Sequence, residues 1–423
     1  MYNMKKDNEY KGFWFLPDKP TIRVAGVLYF KANDSIKLEL IGGFDSELTE
    51  IIKSKTVEII YGVTSKAEKI TLFNCFPSYS LNFSSDHPLV KYSCQYLIVG
   101  KHLQSMDDGT FNKIRVEMSS LYNWIPAGII KHSISFLEEG KLKANFSLSQ
   151  NDNWGKRVES DKFIISFLSS FQIKSRVENK QTMIENTFFE ISKKNMKSSF
   201  IELLTSVNIF KQFLSLASLS SIDYLKIELF DSEDYQQIKS GKKIFHPTSL
   251  LYIDRNNNYR TSKNDSKYLF KYEDIKNQYA NIIKKWYDVK NELAPIRNHL
   301  IESILQKRIF TSLDFLILVQ ALEGFHRRFI ENKRTSLNNR VTFFTLKFSD
   351  ILKVNLSKKD ILSVVASRDY YSHFFEEKEN VLDGIELYHL SEKLRILLIC
   401  CVLSLIGFEN EQINLLINKN YGS

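Results

Sequence analysis

The first part of the chain alternates apolar and polar residues, which is the pattern of half-buried β-strands. SIKLELIGG at 35–43 and KTVEIIYGV at 55–63 show this alternation, and turns carrying Gly, Asn or Asp separate such stretches, as at 31–35 and 107–109. Many short strands at this spacing favour a sandwich or an open barrel. The predicted strands are 22–30, 35–43, 55–63, 69–76, 91–100, 111–119 and 142–148.

Helical periodicity begins near residue 196, where apolar residues recur three and four positions apart. A strand-like YLKIELF follows at 224–230, and the polar, irregular stretch 231–268 is expected to hold a domain boundary. The sequence thus predicts an α+β protein, with a β-rich sandwich or open-barrel domain carrying some helices at 1–268 and an all-α bundle at 269–423. The helices predicted after residue 270 are 271–292, 294–307, 311–331, 341–353, 358–373, 386–407 and 409–418.

Two local signals support these helices. Pro295 falls in the first turn of its predicted helix, where proline is tolerated. Ser357, followed three residues later by Asp360, is the signature of a capping box and predicts that a helix begins there.

The charge balance of the chain bears on the kind of partner that it binds. The formal net charge of the 423 residues is +9, with a sequence pI near 9.0. A basic protein favours anionic partners, nucleic acid first, through phosphate contacts that salt weakens. A coding bias toward Lys and Asn produces the same excess, so charge alone does not decide the function.

Cysteine use and hydropathy indicate the compartment. The four cysteines show no zinc-binding spacing, and Cys400 and Cys401 lie in an apolar helix as expected core residues. The first residues contain no apolar signal-peptide core, and the apolar run 396–406 is too short to cross a bilayer, which needs roughly 20 residues. The sequence therefore predicts a cytoplasmic, reduced protein without a membrane segment.

The helix that opens at Ser357 carries the candidate chemistry. Asp369 and His373 are four residues apart and share a face. Arg368 lies roughly 100–140° around the same helix, a separation that its long side chain covers. The three polar groups can therefore meet over one pocket.

These residue types suit cleavage of a phosphodiester by the RNA's own 2′-hydroxyl, without a metal or other cofactor. His373 can accept or supply a proton near neutral pH. Arg368 can hold the scissile phosphate, and Asp369 can orient the imidazole. Tyr370 and Tyr371 could stack on an unpaired base. Against this stands a plainer interpretation, in which the Asp neutralises the Arg and the tyrosines pack in the core.

The sequence resembles the ApeA-like HEPN family. SRDYYSHF at 367–374 is similar to the HEPN motif, an Arg followed by a polar residue and, a few positions later, a His. The resemblance extends through nearly the whole chain in the family's order. It is carried by GFWFLPD at 12–18, VAGVLYF at 24–30, LELIGGF at 38–44, LYNWIP at 121–126, FKQFLSLASLSSID at 210–223, IIKKWYDVKNELAPIRNHLIESI at 282–304 and FLILVQALEGFHRRF at 315–329.

The resemblance implies a bacterial anti-phage protein that acts by abortive infection. It implies a metal-independent endoribonuclease whose HEPN domains pair, so that two Arg/His motifs face each other in a homodimer or higher homo-oligomer. By position, Arg368, Asp369 and His373 form the motif, with Asp369 in place of the more usual Asn. The expected substrate is single-stranded or loop RNA, with tRNA among the candidates, and a phage-derived trigger is expected to act through the N-terminal domain.

Further residues are expected to support this site. Glu323 follows a strongly apolar run and is a candidate brace for Arg368 or His373, although an exposed or ion-paired Glu is an equal alternative. Ser372 and Tyr371 are expected to support the motif. Arg327 and Arg328 are candidate RNA contacts beside Tyr370, although most such basic runs are solvated faces.

Two other functions stay open at this point. A non-catalytic HEPN module would dimerise, or bind RNA or a protein partner, without producing new RNA ends. Alternatively, the first domain would be the principal function, as a ligand-binding sandwich with a helical dimerisation tail. The sequence does not identify the RNA, the activating signal or the ligand of the first domain.

Overall fold

Strands and helices fall into two units with separate cores in the computed structural model of the chain. One unit comprises residues 1–121, 127–208 and 223–257, and the other comprises 122–126, 209–222 and 258–423. The structure describes residues 2–44, 56–78, 89–126, 130–136, 142–148, 155, 157–160, 162–177, 180–194, 196–253, 268–305, 311–376 and 379–421.

The first six strands close into an antiparallel barrel. In the order of pairing, β3 lies between β6 and β2, β1 between β2 and β4, and β5 pairs with both β4 and β6. Trp14 is fully buried inside, and a Cβ at Gly62 would lie 2.4 Å from its ring, so this position needs glycine. The strands are β1 Asn8–Leu16, β2 Lys19–Lys31, β3 Ser35–Ile41, β4 Val57–Thr64, β5 Lys69–Pro77 and β6 Leu89–Val99.

The sheet continues beyond the barrel through further antiparallel strands. Outward from β6, the order is β16, β13, β7, β12, β11 and β10, while β8 pairs with β9 and β14 with β15 in separate hairpins. These strands are β7 Lys113–Met118, β8 Ile130–Phe136, β9 Leu142–Leu148, β10 Val158–Glu159, β11 Phe163–Val177, β12 Lys180–Lys193, β13 Tyr224–Phe230, β14 Tyr235–Gln237, β15 Lys243–Phe245 and β16 Thr248–Tyr252.

Among the described residues, two helices lie between strands and the others follow residue 270. The helices are α1 Leu121–Trp124, α2 Phe200–Ser218, α3 Tyr272–Ile275, α4 Tyr279–Asp288, α5 Lys290–Leu305, α6 Thr311–Phe329, α7 Leu337–Lys347, α8 Lys358–His373, α9 Gly384–Ile406 and α10 Asn410–Tyr421, with a 3₁₀ turn at Leu352–Val354.

Helix α9 is the centre of the helical unit. Cys400 and Cys401 are buried in it, as predicted. Arg395 donates to Asp314 of α6 at 2.5 Å and to Ser303 of α5 at 2.6 Å, so a buried ion pair fixes three helices together. Breaking a buried pair of this kind typically costs about 3–5 kcal/mol.

Two buried tryptophans tie short upstream segments into the helical unit. The indole N–H of Trp286 donates to the carbonyl of Ile209 at 2.8 Å, and that of Trp124 donates to the carbonyl of Phe270 at 3.1 Å. The predicted boundary after residue 268 stays a prediction, and residues 254–267 lie outside the described residues.

The α+β organisation, with strands first and helices after, is confirmed, and the barrel that was predicted to be open is closed.

Several element predictions differ from the structure. The stretch 231–268, predicted to be irregular, contains β16, a central strand of the sheet, and β10 to β12 were not predicted. Helix α5 begins at Lys290, so Pro295 lies inside the helix and not in its first turn. The predicted helix 271–292 is divided among α3, α4 and the start of α5.

One helix among the described residues, α2, is long and apolar enough to span a membrane, and 67% of that segment is buried within the protein.

Candidate active site

Helix α8 begins with the predicted capping box. The Ser357 hydroxyl accepts from the Asp360 N–H at 3.1 Å, and the Asp360 carboxylate accepts from the Ser357 N–H at 2.9 Å. Lys393 of α9 also donates to this carboxylate at 3.2 Å. Burial raises the pKa of Asp360, but the bonds from Ser357 and Lys393 outweigh it, and the pKa lies below the ordinary value.

The other end of α8 carries the candidate chemistry on a partly exposed surface. Ile361 and Val364 bury one face of the helix, which packs against α6 and α7. This packing leaves Arg368 and Asp369 half-buried and His373, the last helical residue, exposed. The candidate groups are therefore held by a packed helix and remain accessible to a polymer.

The Arg368 guanidinium is the centre of the site. Its Nη1 donates to Asp369 Oδ1 at 2.9 Å and to His373 Nε2 at 3.1 Å. Its Nη2 lies 3.8 Å from Glu323 Oε2 on α6. The arginine and histidine thus meet, as the spacing predicted, and Glu323 braces Arg368 from a second helix.

The contact between Arg368 and His373 fixes the tautomer of the imidazole. A guanidinium can only donate, so Nε2 of His373 accepts and carries a lone pair, while the hydrogen resides on Nδ1. The ring of Phe375 packs against the imidazole, with centroids 5.4 Å apart. Phe374 between them ends the helix in the left-handed conformation, with φ 54°.

Asp369 serves the guanidinium in this arrangement. The hydrogen bond that the structure gives its carboxylate is to Arg368, and its expected role in orienting the imidazole of His373 stays a prediction. Glu323 is itself held in place, because the buried Arg340 donates to its backbone carbonyl at 3.0 Å.

The two tyrosines of the motif have different surroundings. The Tyr371 hydroxyl donates to the Leu382 carbonyl at 3.0 Å and contacts Asp383 at 3.2 Å. The Ser367 hydroxyl accepts from the Leu382 N–H at 3.0 Å, so the segment before α9 is fastened to α8. Tyr370 is half-buried, with its ring 5.0 Å from that of Tyr371. Ser372 is half-buried one residue before His373.

Arg327 and Arg328 line an open pocket of about 540 Å³ between the start of α5 and the end of α6, with Asn291, Glu292 and Asn332 as the other lining residues. Both arginines are exposed, and Arg328 also donates to the backbone carbonyl of Glu292. Among the described residues, no hydrogen bond or ion pair connects this pocket to Arg368 or His373.

Comparison with protein families covers both parts of the chain. The family described as ApeA N-terminal domain 1 matches residues 9–286, more than half of the chain, and the family described as Apea-like HEPN matches residues 316–412. The chain belongs to the ApeA-like HEPN family. No curated protein and no solved structure matches it.

Membership in this family makes the chain an anti-phage defence protein with a HEPN module. HEPN domains are generally nucleases, and the Apea-like HEPN match spans α8 and with it Arg368, Asp369 and His373. The resemblance inferred from the sequence is confirmed.

Two other ionisable residues of the helical unit, Arg297 and His326, are buried and packed against aromatic rings. Arg297 is buried over the Trp286 ring at 5.3 Å, and burial lowers the pKa of its guanidinium to about 10. His326 is buried edge-on against Phe343 and Phe344, and burial lowers its pKa. An imidazole enclosed in this way does not suit contact with a phosphate.

Sequence reasoning missed Phe375 and Ser367 as residues that shape the site. Phe375 follows the motif directly, and its position next to His373 was the available signal. Ser367 has no such signal, because its role depends on a loop that folds back onto α8. Among the described residues, no group of three or more His, Cys, Asp or Glu side chains is arranged to hold a metal ion.

Proposed function

We propose that the HEPN unit, by which we mean the helical unit that contains the HEPN match at 316–412, is a metal-independent endoribonuclease that cleaves RNA in the cytoplasm during phage infection. The observation that carries the proposal is the 3.1 Å contact between Arg368 Nη1 and His373 Nε2 at the exposed end of α8. This contact joins a phosphate-binding cation to a proton-transfer group on one rigid element.

The chemistry follows from the tautomer. When a bound phosphate draws the Arg368 guanidinium away from His373, the lone pair of Nε2 is freed. Nε2 then takes the proton of the RNA 2′-hydroxyl, whose oxygen attacks the adjacent phosphorus. The bond from phosphorus to the 5′-oxygen breaks, the leaving oxygen takes a proton from water, and the imidazolium of His373 returns its proton to the solvent. The products are a 2′,3′-cyclic phosphate, or a 3′-phosphate after hydrolysis, and a 5′-hydroxyl. General acid–base catalysis of this kind contributes typically about 10²–10⁴-fold.

Arg368 stabilises the charge that gathers on the phosphate oxygens. In the free protein its guanidinium already contacts two carboxylates, Asp369 and Glu323. A bound phosphate must displace or share these contacts, so the carboxylates position the guanidinium and are weakened when RNA arrives.

RNA contacts extend beyond the reacting groups. Arg327 and Arg328 offer phosphate contacts at their pocket, and Tyr370 offers a ring for an unpaired base. We therefore infer that the substrate is single-stranded or loop RNA, with tRNA as one candidate. Tyr371 and Ser372 support the motif from the same helix.

A homodimer through the HEPN unit fits the surface of α8. Leu362 lies seven residues before Asp369 and eleven before His373, so the three share one face of the helix. Leu362 is 52% exposed, an apolar side chain in line with the reacting groups. Pairing two such faces would bring two Arg/His motifs together and bury the leucines.

We further propose that the β-rich N-terminal unit restrains the nuclease until a phage-derived signal arrives. A toxic nuclease needs such control, and the fused barrel and sheet supply a separate folded unit for it.

The test is cleavage of RNA by the purified full chain in EDTA. Arg368→Ala and His373→Ala are expected to lower the rate at least about hundredfold while the melting temperature stays within a few degrees. The matched controls are Arg334→Ala and His389→Ala, which remove exposed residues of the same types from the HEPN unit. An RNA with a single 2′-deoxynucleotide at the cleavage position should resist cutting there.

Cleavage at the wild-type rate by the Arg368→Ala/His373→Ala double variant would refute the proposal. RNA binding without new ends, in wild type and variants alike, would instead support a non-catalytic HEPN module that dimerises or binds RNA or protein.

A further inference from the structure

A small hairpin in the N-terminal unit has its own two-stranded sheet. We call residues 235–245, which comprise β14, β15 and their turn, the basic hairpin. Tyr235 pairs with Phe245 and Gln237 with Lys243, and Gly241 in the turn has φ 78°. Every residue of the basic hairpin is exposed. It therefore extends from the sheet as an arm available for binding.

Four apolar residues of this arm are accessible to solvent. Tyr235, Ile238 and Phe245 are each 37% exposed, and Ile244 is 47% exposed. A lone two-stranded hairpin is only marginally stable in water, and clustered exposed apolar residues mark interaction sites. The composition of the arm is thus better explained by a partner than by a role in the core.

The charge on the arm is of one sign. Lys239, Lys242 and Lys243 lie within the basic hairpin, and this stretch contains no Asp or Glu. None of these three ammonium groups forms an ion pair with the part of the chain that the structure describes. An anionic partner would supply the missing counter-charge.

Aromatic and basic groups share one face of the arm. Side chains alternate between faces along a strand, so Tyr235 and Phe245 lie on the same face as Lys243. The Tyr235 and Phe245 rings are 5.9 Å apart, and the Lys243 ammonium lies 4.0 Å above the Tyr235 ring. Two rings and a cation on one surface suit a chain of stacked bases linked by phosphates.

We infer that the basic hairpin binds single-stranded nucleic acid, with bases on Tyr235 and Phe245 and phosphates on the three lysines. An anionic membrane is the less suitable partner, because the tip of the arm, residues 239–242, is Lys-Ser-Gly-Lys and is the part least able to enter a bilayer. This contact lies outside the HEPN unit and does not depend on its proposed catalysis.

The test measures binding of a labelled 20-nucleotide 2′-O-methyl RNA to the full chain by fluorescence anisotropy. This probe lacks the 2′-hydroxyl, so cleavage does not confuse the result. Replacing Lys239, Lys242 and Lys243 with Gln should weaken binding about tenfold or more and lower the log–log salt slope by about 2. Replacing Tyr235 and Phe245 with Ala should weaken binding of the single strand about tenfold and binding of its duplex far less.

The matched control replaces Lys31, Lys37 and Lys66, three exposed lysines of the same unit, with Gln. Equal weakening by this control would show a general effect of net charge and overturn the inference. Unchanged RNA binding by both hairpin variants would overturn it as well. Variants that keep RNA binding but lose binding to phosphatidylserine vesicles would point to a membrane as the partner and overturn it too. A melting temperature equal to that of the wild type verifies that each variant is folded.

Discussion

At the scale of single residues, the site depends on how one guanidinium distributes its hydrogen bonds. Arg368 contacts Asp369, Glu323 and His373 at once. The sequence could predict the residue types and their spacing on one helix, because both follow from helical geometry. It could not choose between an Asp369 that orients the histidine and an Asp369 that neutralises the arginine, because that choice depends on rotamers and on a carboxylate from another helix.

Glu323→Gln tests the bracing role. The amide keeps the shape of the side chain but removes the charge facing Arg368. The guanidinium is then held less firmly in place, and a phosphate competes with one carboxylate fewer. We expect kcat for RNA cleavage to fall about tenfold, with KM unchanged or lower. Glu302→Gln, an exposed Glu on α5, is the control. A rise in KM with kcat unchanged would show that Glu323 serves RNA binding instead.

Phe375→Ala tests the packing against the imidazole. Loss of the ring frees His373 to leave the position in which Nε2 faces Arg368, so kcat should fall about fivefold to tenfold. Phe374→Ala is the neighbouring control, since Phe374 is 89% exposed. Steady-state cleavage kinetics measure both variants. Equal losses in the two variants would argue that the pair acts in another way, for example by contacting RNA.

At the scale of elements, the two local signals read from the sequence had opposite outcomes. The capping box at Ser357 and Asp360 was predicted and confirmed, because its bonds lie within one helical turn. The predicted start of α5 was wrong, because the helix continues upstream of Pro295 to Lys290. Strand β16 was missed because its short TSLLY stretch becomes a strand only between β13 and β6, a context that tertiary pairing provides.

Asp360→Ala tests how the capping box supports α8. Removing the carboxylate should cost about 1 kcal/mol of stability at pH 7. The folded pKa of Asp360 is lowered, so its contribution is present above about pH 4 and is lost as the pH falls through the lowered pKa. The difference in melting temperature from wild type should therefore shrink between pH 7 and pH 3.

Asp350→Ala, an exposed Asp of the same unit, is the control for this measurement. A difference in melting temperature that is constant across this pH range would contradict the assigned role of the Asp360 carboxylate.

At the scale of the whole molecule, the two units interleave along the chain. Residues 122–126 and 209–222 belong to the helical unit although they lie between strands of the other. A linear reading of composition places one boundary, after residue 268, and does not detect segments held by long-range bonds from Trp124 and Trp286. Such contacts join residues 77 and 146 positions apart.

Leu362→Arg tests the proposed pairing of HEPN units. A charge on the exposed face of α8 should disfavour a dimer that buries it, so light scattering should report a shift from the dimer to the monomer mass. RNA cleavage should fall with it. Leu415→Arg changes an exposed leucine on α10 and is the control. A stable dimer in the Leu362→Arg variant would place the interface elsewhere.

The most direct test of the central claim is to map RNA ends in cells that express the wild type or His373→Ala at equal levels. Proton transfer by His373 beside Arg368 predicts new fragments with 2′,3′-cyclic or 3′-phosphate and 5′-hydroxyl ends in the wild type. It predicts that these fragments are lost in the variant. The same fragments at the same abundance in both would contradict the account.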